Sequence, residues 1–279
     1  MFYILLFILL ITIVFLFPKH KSNIKFLSKE DLVNIYQSDE FKQYYKLFQP
    51  KEIFFRTNKK VTDKNNLIKA YLNNVITIPD NYKKMLTNMI EKSDELIYSF
   101  LQTDFEWKIV CYNDDFEWGY PYTIDGAIFI CIDDLEYWSR KDEKYGISFL
   151  VHEAFHILQK GKLKDYFENL YANLGFVKKD IKDKLMEIPE IKENWVTNPD
   201  GLNGEWILKT NNGYICSILL LNENGSHITK YVKLDKDFNI DKKIYDKMDE
   251  YDNIDKLVRQ KYHPNEIIGS YIENYIFQK

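Results

Sequence analysis

The sequence lacks the features that mark several large protein classes. Acidic side chains number 42 and basic ones 38, a balance that leaves no basic surface for nucleic acid. Only three cysteines are present, Cys111, Cys131 and Cys216, too few and too scattered for a disulfide framework or a thiolate zinc site. Their odd number favours a reducing environment, although one disulfide bond with a spare thiol stays open. The scarcity of Pro (7) and Gly (10) argues against long disordered linkers.

The sequence contains enough hydrophobic residues to form a sizeable hydrophobic core. Hydrophobic residues make up 46% of the 279 residues and aromatic residues 16%, with 21 Tyr and 19 Phe. This length and composition suit one sizeable domain, or one domain that carries a small insertion.

The N-terminus begins with a long apolar run. The stretch MFYILLFILLITIVFLF carries no charged side chain, and as a helix it would extend about 25 Å, slightly less than a bilayer core of about 30 Å. Because a basic start and a small-residue cleavage site are both missing, it predicts an uncleaved membrane anchor over residues 1–18. A cleaved signal peptide and a buried core helix are the alternatives. Lys19 and Lys21 follow, and the positive-inside tendency places the rest of the chain on the cytosolic side.

The most informative stretch lies inside the apolar run from Phe149 to Leu158. It contains His152, Glu153 and His156 in the pattern H-E-x-x-H. Positions i and i+4 of a helix share a face, so the two imidazoles can hold one metal ion, and Glu153 leans to one side where it can reach a metal-bound water. A helix that is apolar nearly all round is buried, and ionisable groups there are unfavourable unless something binds them. The pattern therefore predicts a metal site, against the alternative of histidines that hydrogen-bond to their neighbours.

This motif resembles that of the zincin superfamily of zinc metallopeptidases, in which two imidazoles bind Zn²⁺ and the glutamate takes a proton from the zinc-bound water. The metzincin branch continues with Gly and His where this chain has Gln159 and Lys162. The resemblance is therefore to the gluzincin branch, whose third ligand is a glutamate on a later helix. It implies a zincin-like α+β fold, a peptide or protein substrate, and a sheet with an edge strand that pairs with the substrate backbone. The predicted strand over 126–132 is the candidate for that edge, with an ordinary interior strand as the alternative.

A catalytic zinc usually has three protein ligands, so one more has to be found. Pro264 suits the first turn of a helix, and the apolar positions after it predict a buried C-terminal helix. The pair Asn265-Glu266 is similar to the gluzincin Asn-Glu pattern, which makes Glu266 the predicted third ligand. His263 and Glu168 are the other candidates for the third ligand. In the alternative without a metal, Glu266 is a solvated carboxylate at the start of a helix.

Two supporting roles are also implied by the resemblance. In gluzincins an acidic residue one turn after the ligand glutamate steadies the first histidine. This chain has Ser270 there, with Glu273 as an alternative on a similar face. A donor for the developing oxyanion is also needed. Related enzymes use Tyr or His, which makes Tyr262, His263 and Tyr271 the candidates.

The rest of the chain is predicted to form mainly helices first and then strands. Ser28 to Asp31 resembles a capping box that opens a helix to about Phe48. A turn signal at 198–201 precedes three predicted strands joined by Asn-Gly pairs, which indicates a β-meander inserted at about 201–236. His227 follows one of these turns and is expected to be exposed and not a ligand. Further predicted elements are helices after residue 80 and over 164–174 and 179–186, and a strand over 106–112.

Together these patterns predict a membrane-anchored zinc metallopeptidase with an anchor over 1–18 and a catalytic domain over 22–279. Zn²⁺ is expected on His152, His156 and Glu266, with Glu153 as the general base. The expected partners are a peptide or protein substrate and, through the anchor, a lipid bilayer. One alternative is a non-catalytic zinc-binding structural or interaction protein of a membrane or particle. Another is a zinc hydrolase that acts on a non-peptide amide.

Overall fold

The computed structural model describes residues 22–113, 116–201, 205–252 and 263–278, and this part of the chain has an α+β fold. The helices are α1 (Lys29–Gln37), α2 (Asp39–Lys46), α3 (Pro50–Arg56), α4 (Lys64–Asn74), α5 (Asp80–Leu101), α6 (Ile132–Ser139), α7 (Lys144–Lys160), α8 (Lys164–Asn173), α9 (Lys182–Leu185), α10 (Pro189–Asn194), α11 (Asp249–Asp252) and α12 (Pro264–Gln278). The strands are β1 (Asn23–Phe26), β2 (Val75–Ile76), β3 (Glu106–Tyr112), β4 (Tyr122–Ile124), β5 (Ala127–Cys131), β6 (Phe176–Lys178), β7 (Trp206–Thr210), β8 (Gly213–Leu221), β9 (His227–Leu234) and β10 (Ile240–Tyr245).

The first sheet has the strand order β1-β3-β5-β4, with β2 paired to the end of β3. β1, β3 and β5 are parallel, whereas β4 runs antiparallel to β5. Every side chain of β5 is buried, as expected for a strand covered on both faces. The candidate edge strand over 126–132 is therefore wrong, because β5 is interior and β4 forms the edge.

The second sheet is antiparallel throughout, with the order β10-β9-β8-β7-β6. Its three central strands are the predicted meander. β6 and β10 were missed, so the sheet extends over 176–245 and not only over about 201–236. Both missed strands are sheet edges, where short length and charged side chains hide the alternating pattern of a strand.

The helix with the histidine motif, α7, lies in the middle of the largest hydrophobic cluster. Leu150, Val151 and Ala154 are fully buried in it, together with Ile267 of α12 and Ile90 of α5. This packing explains why α7 is apolar nearly all round: helices and the first sheet surround it.

The first four helices cover the opposite face of the first sheet, where Leu32, Phe41 and Leu67 pack against Phe129. The capping box at the start of α1 is present as predicted. The single helix expected up to about residue 48 is instead two helices, because Ser38 is extended and accepts a hydrogen bond from the first turn of α2. All three cysteines are buried and free, so the disulfide bond that the sequence left open does not form.

The predicted membrane localisation needs correction. Within the residues that the structure describes, no helix combines the length and the apolar character needed to cross a bilayer. The predicted anchor, residues 1–18, lies outside those residues.

Candidate metal centre

The two predicted histidine ligands lie one turn apart on α7. The ring centroids of His152 and His156 are 4.6 Å apart, and only 5% and 1% of these residues are exposed. Both rings turn their Nε2 atoms towards the first turn of α12. The helical spacing read from the sequence thus gives two imidazoles aimed at one point.

Glu266, in the first turn of α12, completes the group. Its Oε2 atom lies 3.3 Å from Nε2 of His152 and 3.5 Å from Nε2 of His156. The ligand atoms of all three residues lie within 4.8 Å of one another, and all three residues are buried. The structure therefore brings together the three residues predicted as ligands.

The charges of these groups depend on one another. Burial favours the neutral form of Glu266, but the two imidazoles outweigh it and hold its pKa well below the usual value. Burial lowers the pKa of His152, yet its contacts with Glu266 and Glu273 raise the net pKa well above the usual value. The pKa of His156 is also raised, because the attraction of Glu266 outweighs burial. These raised pKa values favour the protonated imidazoles, so a cation that binds at Nε2 has to displace protons.

Glu153 lies beside this cluster and is only 5% exposed. Within the described residues its Oε2 atom has no hydrogen-bond partner. Burial raises the pKa of Glu153 to about 8, and the nearby carboxylate of Asp200 adds to the shift. A buried carboxylate oxygen without a partner is rare in folded proteins and indicates a place for an ion, water or substrate.

The carboxylate near Nδ1 of the first histidine is that of Glu273, the alternative considered for the steadying role, at ion-pair distance and beyond hydrogen-bond distance. Oε2 of Glu273 lies 3.6 Å from Nδ1 of His152. Ser270 is buried, and its backbone carbonyl accepts a hydrogen bond from the side chain of Asn274. Glu273 lies nearly two turns after Glu266 on α12. It therefore approaches Nδ1 of His152, whereas Glu266 approaches Nε2 of the same ring.

The second histidine is held by Gln159, which sequence reasoning missed. Its Oε1 atom lies 2.9 Å from Nδ1 of His156, and its Nε2 donates to the backbone carbonyl of Asn265 at 3.2 Å. An amide oxygen at Nδ1 selects the tautomer that carries its proton there, which leaves Nε2 free to bind a cation. The same side chain ties α7 to the first turn of α12.

The chain matches no family model, no curated protein and no solved structure.

The turn at residues 198–201, noted from the sequence only as a turn, contributes two further side chains. Asn198 donates from Nδ2 to Oε1 of Glu266 at 3.2 Å, which leaves Oε2 of that glutamate to the histidines. Asp200 forms a second close group with Glu153 and His156, in which the ligand atoms also lie within 4.8 Å. No motif spacing connects these residues along the chain, so no sequence signal pointed to them.

The remaining predicted residues lie elsewhere. His263 is buried, and its Nδ1 accepts a hydrogen bond from the backbone N–H of Asn265, a local contact at the start of α12. Tyr271 is 38% exposed, and neither it nor His263 lines the cleft described below. The rival ligand Glu168 pairs with Lys178 at 2.6 Å. Tyr262 lies outside the described residues.

The group opens into a cleft of about 520 Å³. One wall comes from α7 and α12, and the other from the segments at 117–122 and 196–200 and from β8 and β9. His227, expected to be exposed, is half-buried and lines this cleft. The meander predicted as an insertion is therefore a wall of the candidate site.

Proposed function

We propose that this chain is a zinc-dependent metallopeptidase in which His152, His156 and Glu266 hold the metal and Glu153 acts as general base. The observation that carries the proposal is the approach of one carboxylate oxygen to two imidazole nitrogens at 3.3 and 3.5 Å. Donor atoms about 2.0–2.1 Å from a tetrahedral zinc ion lie about 3.3 Å from each other. The two distances from the carboxylate oxygen to the imidazole nitrogens thus fit that ion.

The donor set also fits a catalytic ion better than a structural one. Two histidines and one glutamate leave a fourth position for water or substrate, whereas structural zinc sites are closed by four protein ligands. That position adjoins the cleft, and the unpartnered Oε2 atom of Glu153 lies next to the group. When bound, zinc polarises a carbonyl and lowers the pKa of a water towards about 7.

Side chains of the protein carry out the remaining steps. Glu153 accepts a proton from the attacking water and returns it to the leaving amine. Burial raises the pKa of Glu153 to about 8, close enough to neutral pH for one carboxylate to accept the proton and to return it. Gln159 holds the imidazole of His156 in the orientation that presents Nε2, and the carboxylate of Glu273 lies near Nδ1 of His152. Asn198 holds the ligand carboxylate. The roles of the three ligands and of Glu153 are those that the resemblance to gluzincins implies for a peptidase.

Two observations favour turnover over the alternative of a non-catalytic zinc scaffold. That alternative drew support from the missing acidic residue at position 270. Glu273 supplies a carboxylate to His152 from elsewhere on the same helix. The cleft is also open beside Glu153, where a purely structural site would be filled.

The decisive test is the substitution Glu153→Gln in the full chain. The variant keeps the three ligands, so its zinc content measured by mass spectrometry should stay at one per chain. Cleavage of a mixed peptide library should fall about 10²- to 10⁴-fold, the usual contribution of a general base. Unchanged turnover in this variant would remove Glu153 from the mechanism.

The matching controls are His152→Ala and Glu266→Ala, which should lose the zinc itself. If the wild type binds zinc stoichiometrically and cleaves no peptide, the scaffold alternative holds. If Glu266→Ala keeps its zinc with unchanged affinity, the third ligand is another residue.

A further inference from the structure

At the β4 edge of the first sheet, the outward backbone groups already have hydrogen-bond partners and are not available to pair with another strand. The outward N–H of Thr123, in the edge strand β4, donates to the carboxylate of Asp200 at 3.2 Å, and its carbonyl accepts from Nζ of Lys160 at 2.7 Å. The next outward N–H, that of Asp125, donates to Glu40 at 3.0 Å. Lys160 in turn pairs with both carboxylates, at 3.3 Å to Asp200 and 3.0 Å to Glu40. A substrate strand would have to displace these partners to add to β4.

The opposite wall of the cleft offers a different kind of surface. Three rings converge there: the ring centroid of His227 lies 5.4 Å from that of Trp118 and 5.5 Å from that of Tyr120, both edge-to-face. We call the space that these three residues border the aromatic slot. Leu219 and Thr229, paired across β8 and β9, continue the same wall, and all five residues line the cleft that contains the metal group.

The aromatic slot is held in place before any substrate arrives. Nε1 of Trp118 donates to the carbonyl of Gly225 at 2.8 Å, and the guanidinium of Arg56 stacks on the other side at 4.8 Å from the ring centroid. Trp118 also has a left-handed backbone, with φ of 57°, which a non-glycine residue keeps only when its surroundings fix it. Tyr120 is 59% exposed, the highest value among the exposed large hydrophobic side chains of the described residues. An exposed apolar surface that is fixed in this way is typical of a site that binds a ligand or partner.

The charges around the aromatic slot select the class of side chain that it takes. Arg56 is 3% exposed and is already paired with Glu52 and Glu117, so it offers no free charge to a substrate. Burial and the field of Arg56 lower the pKa of His227, which keeps that ring neutral at pH 7. The slot therefore presents neutral rings and methyl groups to an occupant.

We propose that the aromatic slot receives one large apolar or aromatic side chain of the peptide next to the scissile bond, and that the peptide is selected through this side chain and not by strand addition to β4. The inference rests on the proposed peptidase activity. It names the substrate class: peptides with Phe, Leu or a similar residue beside the bond that is cut.

The experiment compares fluorogenic peptides that differ only at the residues flanking the scissile bond, with Phe, Leu, Ala or Asp in turn. The zinc-loaded full chain should show a kcat/KM about 10- to 100-fold higher for Phe or Leu than for Ala, the usual value of burying a large apolar side chain. Thr229→Trp fills the slot and should bring this ratio close to one. Ile228→Trp is the matched control, because the neighbouring side chain of β9 points to the other face of the sheet and should leave the ratio unchanged.

A second measurement separates side-chain selection from strand addition. Methylating single backbone amides of the peptide, away from the scissile bond, removes hydrogen bonds that an added strand needs. Methylation should leave kcat/KM for the Phe peptide unchanged. An alternating loss along the peptide would show that β4 opens and would overturn the inference.

The remaining outcomes distinguish the two proposals. Cleavage without preference at any position would contradict the proposed role of the aromatic slot but not the proposed peptidase activity. An equal loss of preference in both Trp variants would have the same meaning. If the zinc-loaded wild type cleaves no peptide, the proposed activity fails. In that case NMR titration with N-acetyl-phenylalanine amide decides the slot: shifts at the His227 ring that Thr229→Trp abolishes support a binding site, and their absence overturns it.

Discussion

At the scale of single residues, the site depends on side chains that surround the proposed ligands. His156 and Glu266 each have one polar atom facing the proposed metal position and another hydrogen-bonded to an amide, from Gln159 and Asn198 respectively. The carboxylate of Glu273 lies 3.6 Å from Nδ1 of His152. Such partners set the tautomer and the orientation of a ligand, so their removal weakens metal binding without removing a ligand.

Gln159→Leu tests this directly. The substitution keeps the volume but removes the acceptor at Nδ1 of His156, so zinc affinity should fall by about 10- to 100-fold. Competition with a chromophoric chelator measures the change. Gln159→Glu keeps an acceptor for His156 and should restore most of the affinity, although it loses the donor to Asn265. Equal affinity in the wild type and the Leu variant would show that Gln159 does not orient His156.

The raised pKa values of the histidines predict a pH dependence for zinc binding. His152 and His156 bind zinc only when neutral, and in the metal-free chain their pKa values lie above the usual 6.5. Zinc affinity should therefore keep increasing as the pH rises above 6.5, with protons released on binding. Isothermal titration calorimetry in buffers of different ionisation enthalpy counts those protons. An affinity that is flat above pH 6.5 would show that the two histidines are already neutral there.

At the scale of elements, the centre exists because α12 packs very close to α7. A Cβ atom at Gly269 would lie 2.6 Å from Cε1 of the His152 imidazole, a separation that real Cβ atoms essentially never show. Glycine at this point lets the backbone of α12 approach the ring. The approach also allows Glu266, one turn earlier, to reach both histidines.

Gly269→Ala should therefore push the two helices apart or turn the ring of His152. We expect a loss of about 1–3 kcal/mol in the free energy of unfolding, together with weaker zinc binding. Denaturant unfolding of the metal-free chain and chelator competition measure the two effects. Ser270→Ala, one residue further on, already has its Cβ and should keep wild-type zinc affinity. Wild-type affinity in Gly269→Ala would show that the helices tolerate the extra atom.

At the scale of the whole molecule, the cleft lies between the two sheets, and the metal group joins α7 in mid-chain to α12 near the C-terminus. Asp200 and Lys160 close one edge of the first sheet, while β8 and β9 of the second sheet build the opposite wall. An ion held by both helices therefore stabilises the assembled molecule and not one element alone, since the unfolded chain has no such site.

Zinc should raise the melting temperature of the full chain. At a free concentration about 1,000 times the Kd, the stabilisation is about 4 kcal/mol, which corresponds to about 8 °C for a chain of this size. At one fixed zinc concentration, the increase should be larger at pH 8 than at pH 6. The raised pKa of His152 gives the metal-free chain a stabilising contribution that is present below pH 6.5 and lost as the pH rises through the folded value. Differential scanning calorimetry with and without chelator measures both trends; no shift with zinc would mean that the ion binds the folded and unfolded chains alike.

The sequence alone determined what depends on local spacing. The pair His152 and His156 is placed by the period of one helix, and β7 to β9 by alternation and turn residues, so these predictions match the structure. Glu266 was found only because a resemblance supplied the pattern, and its approach to the histidines is a matter of how α12 packs.

The tertiary structure decided everything that joins distant segments. Gln159, Asn198 and Asp200 carry no motif, and only the packing of α7, α12 and the turn at 198–201 brings them to the site. The same holds for β4 as the closed edge and for His227 in the aromatic slot. Side-chain periodicity specifies which face of an element is buried, whereas the partner that buries it is fixed only when the non-local contacts form.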